Sequence, residues 1–214
     1  MGPDWLAAQC SGWECPDMRL RSPLIAACSL ALLALFIPHA NAVQGAFTLK
    51  SPVVTEAGAL PAAYTCDGAG STLPLKWTNP PKGTKSYALV MHHVPPEGVA
   101  HWYWVAWDIP STTTQLAVNA KNFGKLGGNS VNRNIGYTPP CSKGPGDKTY
   151  TYTLYALSKS AGLGSTSTAT VSRDTLLAAI APITLGKAVL NVTYSRPSSA
   201  ATDTQSSSAP APRS

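Results

Sequence analysis

The stretch from His101 to Ile109 constrains the fold more than any other. Strict alternation along an extended chain places Trp102, Trp104 and Ala106 on one side and Tyr103, Val105, Trp107 and Ile109 on the other, so both faces are apolar. A strand without a solvated face sits inside a sheet that is covered on both sides, and Pro110 closes it. Tyr87 to His92, Tyr150 to Leu157 and Ala188 to Tyr194 repeat the period of two, with Tyr150, Tyr152 and Leu154 opposite Thr151, Thr153 and Tyr155. One helix is expected from Arg173 to Ala181. There Ser172 can cap the free amides, and Leu176, Leu177 and Ile180 recur at helical spacing before Pro182. The 19 Pro and 17 Gly among 214 residues favour short strands joined by turns. The expected fold is mainly β: a two-sheet β-sandwich with one or two short helices. The glycine-rich run Lys125 to Asn129 lacks the Lys-Ser/Thr of a nucleotide loop and reads as a surface turn.

The ends of the chain have a different character. Met18-Arg19-Leu20-Arg21 precedes an apolar run from Leu24 to Ile37, and Ala40-Asn41-Ala42 offers a small-x-small cleavage site, so residues 18–42 read as a signal peptide. The run is shorter than the ~20 residues of a membrane-spanning helix, and no stable span is expected after cleavage. Residues 1–17 carry Asp4, Glu14 and Asp17 ahead of the basic segment, which suits a mis-assigned start at Met1. Residues 196–214 are almost wholly Ser, Ala, Pro, Thr and Gln and read as a disordered tail. That leaves one domain, residues 43–195, in a periplasmic or secreted protein. Losing the leader leaves 14 basic and 7 acidic residues, a formal +7, and only two cysteines, Cys66 and Cys141. In an oxidising compartment they can form a disulfide, whose 75-residue loop would contribute about 4 kcal/mol; two separately buried thiols are the alternative.

The basic residues are scattered singly, which argues against nucleic acid as a partner. Gly-x-Ser-x-Gly and His-Glu-x-x-His are both missing, and the few acids are too dispersed for paired-carboxylate chemistry. His92, His93 and His101 lie close in sequence, but adjacent strand residues face opposite ways, so at most one of His92 and His93 can share a site with His101. A metal would then lack its third and fourth ligands, and no metal or other cofactor is expected.

A series of short motifs resembles the phosphatidylethanolamine-binding protein family, in particular its bacterial Raf-kinase-inhibitor-like branch. In order they are Leu60-Pro61, Tyr64-Thr65-Cys66-Asp67-Gly68, Leu75-Lys76-Trp77, Ser86-Tyr87-Ala88-Leu89, His101-Trp102, Asp108-Ile109-Pro110, Gly136-Tyr137, Pro140-Cys141 and Tyr155-Ala156-Leu157. The resemblance implies a sandwich with a small pocket for phosphate-like groups or phospholipid headgroups. His101, Pro140 and Tyr150 match the pocket pattern. Where the family carries Asp-Pro-Asp-x-Pro this chain has Met91-His92-His93-Val94-Pro95, and Lys148 stands where the family has a histidine. If these residues face the cavity, the site is more positive than its relatives' and favours an anion.

The expected function is a non-catalytic binding protein. His101 and Tyr150 would donate hydrogen bonds, Lys148 and His93 would add charge, the Pro139-Pro140 loop would shape the rim, and Trp102 would form a wall. The ligand would be a small anion or a phospholipid headgroup. Two rivals are an inhibitor module with a protein partner and a vestigial pocket, and a metal-dependent hydrolase; a separate alternative is a decayed pocket plugged by Met91.

Overall fold

In the computed structural model, which describes residues 45–143 and 146–196, the period-two segments are the strands of two sheets. The expected leader, and the expected tail beyond Arg196, lie outside the described residues. In chain order the elements are Thr48–Lys50 (β1), Gly58–Ala59 (β2), Leu75–Thr78 (β3), Ser86–His93 (β4), His101–Pro110 (β5), Gln115–Leu116 (β6), Lys125–Leu126 (β7), Lys148–Leu157 (β8), Arg173–Ile180 (α1) and Thr184–Tyr194 (β9). The larger sheet runs β2-β9-β8-β4-β5-β7 and the smaller β1-β3-β6. Neighbours are antiparallel except for β2, which lies parallel to β9.

Both faces of the larger sheet are covered, which is why the middle stretches of β4 and β5 are apolar. On one face Leu49, Leu75 and Trp77 of the smaller sheet pack against Tyr87, Leu89, Met91, Trp104 and Leu154. On the other, Ala88, Val90, Val105 and Trp107 lie with Leu176 and Ile180 of α1. The helix starts where its cap lets it start, with the Ser172 hydroxyl accepting from the Thr175 amide at 3.1 Å.

β5 departs from strict alternation in two places. Tyr87 faces Ile109 while Leu89 faces Ala106, so Trp107 and Asp108 together oppose Ala88. Met91 faces Trp104 while His92 faces Trp102, which leaves Tyr103 as a second extra residue. Each bulge shifts the phase by one position. Tyr103 and Ile109 therefore join Trp104 and Ala106 in the core between the sheets, and Trp102 joins Val105 and Trp107 on the helix side. Asp108 takes a left-handed φ of 52°, and its Oδ1 accepts from Ser160 Oγ at 2.8 Å and the Ala161 amide at 3.0 Å.

The run Lys125 to Asn129 is not the expected surface turn. It begins with β7, which pairs with β5, and Gly127 and Gly128 are buried. A Cβ on Gly127 would lie 2.3 Å from the Val171 carbonyl oxygen, so glycine serves close packing here.

Candidate functional site

A cavity of about 480 Å³ opens where β4 ends, β5 begins and β8 begins. His93, the last residue of β4, pairs directly with His101, the first of β5. Lys148 and Tyr150, two residues apart on β8, face the same hollow, and residues 141–143 cross its mouth. The structure thus brings His93, His101, Lys148 and Tyr150 together. The bulge at Tyr103 is what turns His101 toward the hollow: without the extra residue it would point to the helix side.

His93 is 8% exposed, and its Nδ1 lies 2.8 Å from the Thr149 carbonyl oxygen. A carbonyl only accepts, so Nδ1 carries a proton and donates it. Nε2 is buried without a partner. The His93 ring lies 5.4 Å from that of Tyr150, which meets Tyr103 edge to face at 5.3 Å. Burial, reinforced by the neighbouring Tyr103 hydroxyl, pushes the Tyr150 phenol far above its ordinary range, and burial likewise raises Tyr103. Both hydroxyls therefore stay neutral; Tyr150 donates to Tyr103, whose own proton is left to donate.

The Lys148 ammonium donates to Ser142 Oγ at 3.0 Å and to the Lys143 carbonyl oxygen. Ser142 is almost fully buried, and the preceding Cys141 is bonded to Cys66 with Cα atoms 5.2 Å apart, so a disulfide replaces the alternative of two free thiols. The Cys66 amide also donates to the Pro140 carbonyl at 3.0 Å. On the same loop, Asp67 accepts from the Tyr194 hydroxyl and forms an ion pair with Arg196 at 2.6 Å. The lysine is thus held by a rim segment bonded to Cys66, and the neighbouring Asp67 is in turn tied to Tyr194 and Arg196.

Two expected assignments change, and one alternative falls away. Trp102 is no wall of this cavity: the extra residue Tyr103 puts its indole on the helix side, where Nε1 donates to the Gly128 carbonyl at 2.9 Å. Pro139 and Pro140 do not line the hollow either. Pro139 packs toward Gly70, and Pro140 is buried behind the disulfide. Met91 is fully buried in the core between the sheets and does not plug the site.

Tyr103, Glu97, Ser142 and Lys143 line the cavity without having been expected there. Ser142 and Lys143 follow directly on the Pro-Cys motif, a signal that could have pointed to them. Tyr103 was hidden by its bulge, and nothing in the sequence marks Glu97. His92 lies on the opposite face, its pKa lowered first by burial and then by the Arg173 guanidinium. Among the described residues no three of His, Cys, Asp and Glu gather to hold a metal. A second hollow, of about 500 Å³ between β1 and β9, is mainly apolar; both carboxylate oxygens of its Glu56 are occupied by Asn191.

Comparisons with known proteins agree with this architecture. The family model described as phosphatidylethanolamine-binding protein matches residues 50–195. A UPF0098 protein of Methanothermobacter thermautotrophicus is 33% identical over 114 residues, covering 51% of this chain and 75% of its own. LppC of Mycobacterium tuberculosis, which its name assigns as a lipoprotein, is 29% identical over 57% of this chain and 65% of its own. Among solved structures, a phosphatidylethanolamine-binding protein homologue of Chlamydia trachomatis superposes with a TM-score of 0.64 at 28% identity, covering 71% of this chain and 98% of its own. Escherichia coli YbcL shares the fold with a TM-score of 0.63 at 21% identity, covering 71% of this chain and 99% of its own. With the family model spanning both sheets and the cavity between β4, β5 and β8, the chain belongs to the phosphatidylethanolamine-binding protein family.

Proposed function

We propose that this chain is a non-catalytic binding protein of the cell envelope, and that its ligand is a small phosphate-like oxyanion. The observation that carries this reading is the state of Lys148. Its ammonium is fixed at the cavity wall by two neutral oxygens, Ser142 Oγ and the Lys143 carbonyl, so its charge is not cancelled by a bonded carboxylate. Lys143 adds a second positive charge and Glu97 supplies one negative, while the Tyr103 hydroxyl, which accepts from Tyr150, and His101 offer donors. A cavity with convergent donors and net positive charge favours an anion over an ammonium group. The envelope location is supported by the leader-like residues 18–42 and by the name of the LppC relative.

Calorimetric titration tests the reading. Inorganic phosphate and phosphoethanolamine should both bind, and His101→Ala should abolish the heat. Replacing the ammonium in Lys148→Met should weaken binding at least ~10-fold, as expected when a charge-assisted contact is lost. Silence of the wild-type protein at millimolar ligand would overturn it.

A further inference from the structure

We infer that the cavity captures one proton together with its anion, at His93 Nε2, and so selects oxyanions that can themselves carry a proton. This deepens the anion-binding reading and rests on it. The argument starts from the His93 tautomer. The 2.8 Å contact with the Thr149 carbonyl commits Nδ1 to donating, and the same contact fixes which way the ring faces. In the neutral ring Nε2 is then a bare acceptor, buried in the wall of a cavity whose other polar groups suit an anion. Two acceptors repel each other. A fully deprotonated oxygen can approach Nε2 only when a proton lies between them, either on the imidazole or on the ligand.

The surroundings determine what that proton costs. Facing His93 across the hollow are His101 and Tyr103 of β5, Lys148 and Tyr150 of β8, Lys143 of the rim and Glu97 of the β4–β5 loop. Lys148 and Lys143 bring two positive charges to the cavity that His93 lines. The bound anion offsets their field, so the proton and the ligand enter together. A phosphomonoester has a basic oxygen, with its second ionisation at ~6, and can share the proton with Nε2. Sulfate has the same shape but no comparably basic oxygen, and leaves the imidazole to hold the proton alone.

Calorimetry at about pH 8, with methyl phosphate and sulfate as probes in two buffers of different ionisation heat, reads the proton directly; methyl phosphate is then mostly the dianion. The expected result is uptake of about one proton per methyl phosphate bound, with affinity at least ~10-fold above that for sulfate. In His93→Gln a permanent amide donor stands near the Nε2 position. Methyl phosphate should still bind, uptake should fall to near zero, and the preference over sulfate should vanish. His101→Gln should retain the uptake in whatever binding survives. Methyl phosphate binding without uptake in the wild type overturns the inference and leaves the anion site standing, and this measurement requires no variant. Unchanged uptake in His93→Gln also overturns it. Failure of methyl phosphate to bind at all removes the anion-site reading, and this inference with it.

Discussion

His92 and His93 are neighbours in the chain, and one step of alternation along β4 gives them opposite fates. His93 looks into a cavity that can receive a ligand. His92 lies on the helix side, with a pKa below the ordinary 6.5 because burial and then the Arg173 charge disfavour its cation. The unfolded chain therefore binds more protons than the folded one as pH falls below about 6.5. The stability contributed by a neutral His92 is complete above that value and is lost as pH drops through the folded-state pKa. Thermal melts between about pH 5 and 7.5 should show the midpoint falling on the acid side, and falling less steeply in His92→Leu, which has nothing there to protonate. An unchanged slope in that variant would exclude His92 as the cause.

β5 shows which information is written in the pattern of residues and which is not. Its length, its burial on both faces and its Pro110 boundary were legible, because hydrophobic burial on two faces leaves a direct trace in composition. The central position expected of it was not: β5 lies next to the edge of the sheet, flanked on its outer side by the two-residue β7. The helix was legible too, since its Ser172 cap and Leu176–Ile180 spacing are local features. The two bulges were not legible, because they arise from pairing with β4, and the side on which Trp102 and Tyr103 fall was lost with them. The candidate site divides in the same way. His93, His101, Lys148 and Tyr150 were picked out by the family resemblance of the motifs around them, whereas Glu97 and Lys143 lie on connections whose course depends on tertiary contacts. The bulge at Trp107 and Asp108 is braced by the Asp108 carboxylate, which receives two hydrogen bonds from residues 160 and 161. Asp108→Ala should cost about 1–3 kcal/mol in denaturant unfolding, because it removes the two hydrogen bonds that hold this residue in its left-handed conformation. Phosphate affinity should hold, since this bulge lies at the far end of β5 from His101.

At the scale of the molecule, the cavity depends on a covalent link that contributes only Cys141 to its wall. The Cys66–Cys141 bond closes a segment containing β3 through β7, while β8, which supplies Lys148 and Tyr150, lies outside that segment. Opening it with a dithiol should cost about 4 kcal/mol of stability in the chain-entropy model, read as a lower denaturation midpoint. Affinity for phosphate should fall as well, because Ser142 and Lys143 lose the anchor that lets them hold the Lys148 ammonium. A midpoint that shifts while affinity stays constant would show that the rim holds its shape unaided. The same bond bears on how the protein is prepared for study. Recombinant material harvested from a bacterial host that keeps its cytosol reducing would pass as correctly folded by far-ultraviolet dichroism, yet understate every binding constant measured on it.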